Sequence, residues 1–157
     1  MRIGQSKDVH KLVVGRDLII GGVKIDYEKG LLGHSDADVL LHAIIESIIG
    51  AMGLKDIGTH FPDTDKKYEG ISSLELLDET YKLMKEHKCK LVNLDSLIMI
   101  EKPKMAPHID QMRKNIAEHL HCDVSQINVK ATRGEGMGFV GKGEGALAEC
   151  VCLIEEE

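Results

Sequence analysis

The sequence predicts an α+β fold, a single domain over residues 1–157 in which a mixed β-sheet is covered by helices on one face. Three observations predict it. The chain opens on β-rich pieces set about Gly21 and Gly22, the residue type that a two-residue hairpin turn demands. Three later segments carry apolar residues at helical spacing behind recognisable helix starts. In the second half strands and helices alternate, and the chain closes on a strand, an order that lays helices across one side of a sheet. With 157 residues, 43% of them hydrophobic and 29% charged, there is apolar side chain enough for one core. Neither an internal repeat nor a low-complexity linker divides it.

Each element has its own warrant. "RIGQSKDVH" is a short strand or extended opening, and "DLIIGGVKI" supplies both arms of the hairpin. Ser35, with Asp38 three residues on, is an acidic variant of the capping box. The apolar positions 39, 40, 41, 43, 44, 45, 48 and 49 then make the segment to about Gly50 a largely buried helix. "KDIGTHFPDTDKKYEG", rich in Gly, Asp and Pro, reads as a loop. Ser72 and Glu75 form a second capping box, and Leu74, Leu77, Tyr81 and Met84 make residues 73–87 an amphipathic helix. "KLVNLDSLIMI" is a strand. After Pro103, the series Met105, Ile109, Met112, Ile116 and Leu120 marks a third helix, and "INVKAT" and "ALAECVCLI" are further strands.

Composition narrows the function. A formal charge of −6 with 3% aromatic residues supplies neither a phosphate-neutralising surface nor a base-stacking platform, so nucleic acid is not an expected partner. "MRIGQSKDVHK" has no apolar core of a signal peptide, and the longest apolar stretch is broken by His42 and Glu46, so no membrane association is expected and the protein is placed in the cytoplasm. Cys89, Cys122, Cys150 and Cys152 include no C-x-x-C pair and read as reduced, structural thiols, the last two sharing one face of a strand.

Two stretches carry ionisable groups where packing alone does not ask for them. "HSDADVLLHA", residues 34–43, brings histidines and aspartates to a helix that is otherwise apolar, with Asp38, His42 and Glu46 on one stripe. In "KDVH", Asp8 and His10 are two apart, so on a strand both side chains leave the same face. A carboxylate and an imidazole from a strand, joined by His42 from a helix, have the number and type of ligands of a catalytic zinc site with its fourth position open. The alternative is two solvated edge residues and a satisfied core histidine. In "RGEGMGFVGKGEG" the glycines lie densely enough for backbone N–H groups to approach an anion. "GMGFVG" fits G-x-G-x-x-G, yet a strand follows where a dinucleotide fold needs a helix, which leaves a phosphate loop or a flexible β-connection.

Taken in order, these pieces resemble the 2-C-methyl-D-erythritol 2,4-cyclodiphosphate synthase family of the non-mevalonate isoprenoid pathway. The resemblance rests on "DVH" at 8–10, "IGG" at 20–22, "YEKGLLGHSDADVLLHA" at 27–43, "DIG" at 56–58, "HFPDTD" at 60–65, "PKM" at 103–105 and "NVKAT" at 128–132, with "GF" and "GEG" beyond. It implies a lyase that cyclises 4-diphosphocytidyl-2-C-methyl-D-erythritol 2-phosphate and releases CMP. It implies zinc on Asp8, His10 and His42, and a second divalent ion, Mg²⁺ or Mn²⁺, attended by Glu135. His34 would stabilise the transition state, placed beside a helix start at Ser35 whose free N–H groups would also face the β-phosphate. Val9 and Ser35 join the ligand-binding set around the triad. The residues Asp56, Ile57, Gly58, Phe61, Pro62, Asp63, Thr64 and Asp65 would hold the methylerythritol part. The run Ile100, Glu101, Lys102, Pro103, Lys104, Met105 and Ala106 would hold the cytidine end, with Lys104 near the diphosphate. Thr132, Arg133, Gly134 and Glu135 complete the phosphate side, Arg133 at a position the family uses in the transition state. Family members are homotrimers with active sites between subunits.

Three positions depart from the family pattern. Arg133 and Gly134 stand where two threonines are usual, Lys7 stands where the family carries an apolar residue, and Lys142 replaces a common arginine. With Phe139, positions 7 and 142 border the central cavity of the family's trimer. Arginine offers a planar, permanently charged fork of donors, suited to clamping phosphate but much larger than threonine. Two other readings follow from that change and from the metal pair: a turnover-impaired trimeric protein that binds zinc and cytidine nucleotide, or a divalent-metal phosphohydrolase.

Overall fold

Alternation along the first strand decides how everything else is placed. In β1 (Arg2–Val14) Gly4, Ser6 and Leu12 are buried, while Ile3, Gln5, Lys7 and Val9 face outward and are exposed. The computed structural model describes residues 1–157. Strand β1 pairs antiparallel with β4 (Lys29–Leu31) on one side and with β7 (Gly145–Glu156) on the other. Strand β7 also pairs antiparallel with β5 (Cys89–Met99), which pairs parallel with β6 (Ile127–Thr132). The sheet order is β4-β1-β7-β5-β6, a mixed sheet, as expected.

All the apolar weight lies on one side of it. Helix α1 (Val39–Ala51) is buried almost all round, with Leu40, Leu41, Ile44, Ile45, Ile48 and Ile49 at 0% exposure. It lies against β1 and β7 with α3 (Ser73–Glu86) on its other flank. Close approach fixes its seat: a Cβ on Gly4 would stand 1.8 Å from the Ser47 carbonyl oxygen, so only glycine fits beneath the helix. Helix α4 (Ile109–His119) packs beside α3 and β6. On the opposite face of the sheet Ile3, Val9 and Val151 stand 72%, 54% and 44% exposed.

The hairpin of β2 (Leu18–Ile20) and β3 (Val23–Ile25) forms as the glycine pair predicts, with positive φ at Gly21 (60°) and Gly22 (73°). The α1 start differs from expectation. The cap is Asp38, not Ser35, because Ala37 takes a left-handed φ of 57° that no helix can run through. The Asp38 carboxylate accepts from Leu41 N at 3.0 Å and from the amides of Gly21 and Gly22 at 2.9 and 2.8 Å, tying the hairpin to the helix it caps. At α3 the Ser72 hydroxyl accepts from the Leu74 amide, 3.3 Å away, so the cap holds without the Glu75 half of the box. The loop read over residues 55–70 contains α2 (Ile57–His60), capped by Asp56, and one 3₁₀ turn at Lys66–Tyr68. A short helix, α5 (Gly138–Gly141), also lies inside the glycine-rich stretch.

Candidate active site

Strand β1 and helix α1 bring Asp8, His10 and His42 together. His10 Nε2 lies 2.9 Å and His42 Nδ1 3.3 Å from Asp8 Oδ2, and the two ring nitrogens are 3.2 Å apart. The three candidate ligand atoms lie within 4.8 Å of one another. Gly33 makes room: a Cβ there would press on the His10 ring, 3.1 Å from Cε1. Nothing in the spacing of the sequence announces that contact.

The proton count at the far sides of the rings decides what the near sides can do. His10 Nδ1 is 2.8 Å from the Leu32 carbonyl oxygen, which only accepts, so Nδ1 carries the hydrogen and Nε2 presents a lone pair. His42 Nε2 faces the hydroxyl oxygens of Ser73 and Ser35 at 3.0 and 3.1 Å, and with Nε2 donating to them Nδ1 presents its lone pair. Asp8 Oδ2 is a buried carboxylate oxygen that no donor outside these two rings reaches, and the two ring nitrogens facing it carry no hydrogen while both rings are neutral in these tautomers. Three lone pairs therefore converge on one point, which is repulsive unless a cation sits there, and a carboxylate with two oriented imidazoles is a divalent-metal donor set. A proton is the other relief, and the pKa shifts of Asp8 and His10 run the same way. Burial alone would raise the Asp8 carboxyl, but hydrogen bonding to His10 and His42 outweighs it and holds the pKa at about 2. Burial likewise works against a charged His10, and its bond to Asp8 prevails and raises its pKa.

The triad opens into a cleft of about 380 Å³ lined also by His34, Ser35, Ile57, Gly58, Phe61, Pro62 and Asp63. Most of the expected methylerythritol set is thus present around the triad. Asp56 instead caps α2, accepting from Thr59 N at 3.0 Å, and Asp65 caps the 3₁₀ turn through Lys67 N at 3.1 Å. His34 donates from Nε2 to the Asp65 carbonyl at 3.0 Å. The expected helix N-terminus beside His34 is not there: α1 begins at Val39, and the Asp38 carboxylate already takes the Leu41 amide. The side chain of Val9 points to the opposite face of the sheet.

The run from Ile100 to Ala106 lines a different cleft of about 760 Å³, with Thr132, Arg133 and, unforeseen, Tyr27, Ile109 and Ala131. The two clefts share no lining residue. Glu101 anchors the edge of the larger one by accepting from Gly134 N at 2.9 Å. Glu135 is exposed at a left-handed φ of 54° and lines neither cleft, so one chain does not bring it to the triad. Phe139 is 42% exposed on α5, with Lys142 at the end of that helix.

Fold and triad together define a small α+β protein that presents a divalent-metal donor set at the floor of an open cleft. The family model that matches residues 1–155 is described as the YgbB family. The chain is 61% identical over 156 residues to the 2-C-methyl-D-erythritol 2,4-cyclodiphosphate synthase of Chloroherpeton thalassium, covering 99% of each. It is 60% identical over 154 residues to that of Clostridium perfringens, covering 98% of this chain and 99% of the relative. Among solved structures, a CDP complex from Plasmodium falciparum superposes with a TM-score of 0.87 at 33% identity, covering 99% of this chain and 96% of that one. The bifunctional Campylobacter jejuni IspDF gives 0.95 at 39% identity over 99% of this chain, which spans 42% of that longer protein. The chain belongs to the YgbB family, and with it to the enzymes that close a methylerythritol cyclic diphosphate in isoprenoid biosynthesis.

Proposed function

We propose that the chain converts 4-diphosphocytidyl-2-C-methyl-D-erythritol 2-phosphate into the 2,4-cyclic diphosphate and CMP, in active sites that form between three copies of the chain. The observation that carries the reading is the undonated Asp8 Oδ2 facing two imidazole lone pairs, which asks for a metal beside a cleft of substrate size. In the reaction a 2-phosphate oxygen bonds to the β-phosphorus while the bond from that phosphorus to the bridging oxygen breaks, and the bridging oxygen leaves on CMP. No water is consumed. A phosphate monoester has its second pKa near about 6, so the nucleophile is anionic at neutral pH and needs no strong base. When bound, zinc at Asp8, His10 and His42 and a second ion, Mg²⁺ or Mn²⁺, at Glu135 supply Lewis-acid neutralisation of the diphosphate charge.

The protein's own groups hold the rest in place. In the triad cleft the Ser35 hydroxyl donates to phosphate oxygens, His34 joins it when its Nε2–H leaves the Asp65 carbonyl, and Ile57, Gly58, Phe61, Pro62 and Asp63 enclose the polyol. In the larger cleft Ile100 and Met105 form a buried floor for cytidine, while Lys104 and Arg133 offer cations to the diphosphate. A CDP-bound relative supports a cytidine-linked ligand. The assembly reading rests on the bare sheet face with its exposed Ile3, Val9 and Val151, and on two clefts that one chain leaves apart. Free thiols and the absence of any helix long and apolar enough to cross a membrane fit a cytoplasmic enzyme. Product analysis tests the whole: cyclic diphosphate with CMP supports it, inorganic phosphate makes the chain a phosphohydrolase, and tight CDP binding without product makes it an impaired binder.

A further inference from the structure

Ser73 belongs to none of the motifs that carry the family resemblance, and the sequence offers it only as the start of a helix. The fold buries it completely and sets its Oγ 3.0 Å from His42 Nε2. On its other side stands Asp36, from the loop before α1. Asp36 Oδ1 accepts the Ser73 hydroxyl at 2.5 Å, and Oδ2 accepts the Ser73 amide at 3.0 Å. A serine hydroxyl has one hydrogen. With that hydrogen held by the carboxylate, only oxygen lone pairs are left for His42, and Nε2 can approach them only as an N–H donor.

We propose that Asp36 and Ser73 are a positioning pair for the metal triad: they hold His42 as its Nε2–H tautomer, aim the Nδ1 lone pair at Asp8 and His10, and so set the affinity for the divalent ion. Ser35 does not duplicate this. Its oxygen accepts from the Ala37 amide at 3.2 Å and lies 3.1 Å from His42 Nε2, but no carboxylate claims its hydrogen, so it would satisfy either tautomer. Asp36 is also fixed from behind, accepting from the Asp38 amide at 3.1 Å, while its own amide donates to the Ile71 carbonyl at 3.1 Å. The pair thus couples the seat of α3 to a ring on α1 through one hydroxyl. Outer partners of this kind orient a metal-bound imidazole and raise its basicity.

The inference rests on the reading of the triad as a metal site, and the test separates the two. Zinc affinity is measured on the purified full chain by competition with a chromophoric chelator at neutral pH. Ser73→Ala should weaken zinc binding by about 10- to 100-fold, and Ser73→Thr, which keeps the hydroxyl, should restore it to within about 3-fold of the parent. Asp36→Asn, similar in size but without the charge that holds the hydroxyl hydrogen, should weaken it by about 10-fold or more and serves if Ser73→Ala fails to fold. Nitrogen-15 spectra of the zinc-loaded protein should show a slowly exchanging His42 Nε2 proton that is lost in Ser73→Ala, a change that loosened packing elsewhere does not produce. Unchanged affinity in a folded Ser73→Ala or Asp36→Asn, with zinc still lost in His42→Ala, overturns the positioning role alone. Zinc retained in His42→Ala overturns the metal site itself.

Discussion

The two clefts are made in opposite ways. Around the triad the ligands come from the middle of a strand and the first turn of a buried helix, and every outward-facing ring nitrogen has a named partner. The larger cleft is edged by connecting backbone from Ile100 to Ala106 and by an exposed Arg133, after which the chain runs on through Glu135, Gly136 and Gly138 at φ of 54°, 73° and 65°. Rigid placement falls where charge has to be stabilised, since a metal donor set tolerates little displacement. The looser edge falls on the side proposed to take the nucleotide, where a neighbouring subunit would have something to complete.

That contrast can be broken most severely at the triad. Replacing a ligand, as in Asp8→Ala or His42→Ala, should lower zinc affinity more than the roughly 100-fold that an outer partner can contribute, and product formation should fall with it. Elemental analysis after exhaustive dialysis checks this; full zinc in His42→Ala would put the rigid half out of the chemistry altogether.

The next effect concerns what makes that half rigid. Asp38 links the hairpin to the helix that carries His42, and burial first, then the neighbouring Asp36 charge, raise its pKa from 3.8 to about 6 against the pull of three amides. A carboxyl raised on folding contributes its stability below the unfolded value and loses it as pH rises through the folded one. From about pH 4 to about pH 6 the wild type should therefore lose up to about 3 kcal/mol through this group, at 1.36 kcal/mol per unit, while Asp38→Asn does not. Unfolding curves at pH 4.5 and 7.5 measure the shift in the gap between the two proteins. A gap independent of pH would mean that the amides alone set the Asp38 charge.

Arg133 tests the looser half. If its guanidinium pairs with the diphosphate, Arg133→Ala should weaken CDP binding by about 1.5 to 3 kcal/mol, the scale of a charge-assisted hydrogen bond, with less loss at high salt. Calorimetric titration at two salt concentrations decides it, and a rise in kcat/KM for Arg133→Thr would instead mark the arginine as an obstruction. The neighbouring position cannot follow toward threonine. A Cβ on Gly134 would meet the Gly141 amide nitrogen at 2.5 Å, so adding Gly134→Thr to Arg133→Thr should lower activity below that of the single variant. The smallest effect is expected on the bare sheet face, where Lys7 pairs with Glu149 at 3.0 Å in solvent. Lys7→Gln should cost less than about 1 kcal/mol of stability. A change of mass in light scattering out of proportion to that cost would show that copies of the chain meet across this face.

The sequence disclosed what local spacing controls and little of what crosses the chain. Asp8 and His10 were legible because strand side chains alternate, and α1 was legible from its apolar run. The start of α1 was misread because Ala37 adopts a left-handed φ, and because Asp38 answers amides 16 and 17 residues back. Ser73 is 31 residues from His42 and 37 from Asp36, and Gly33 touches His10 only through the fold. Glu135 carried a motif but not a place, since in one chain it lines neither cleft.

Two clefts without a common lining residue also divide the ways this enzyme can fail. A chain crippled at His42 still carries an intact nucleotide surface, and one crippled at Lys104 still carries an intact triad. If copies of the chain complete one another's sites, as proposed, neither works alone. Mixed in equal amounts and allowed to reassemble at random, the two would pair an intact triad with an intact nucleotide surface at about a quarter of their interfaces. Two dead alleles would then complement each other, whereas two lesions within the same cleft never could.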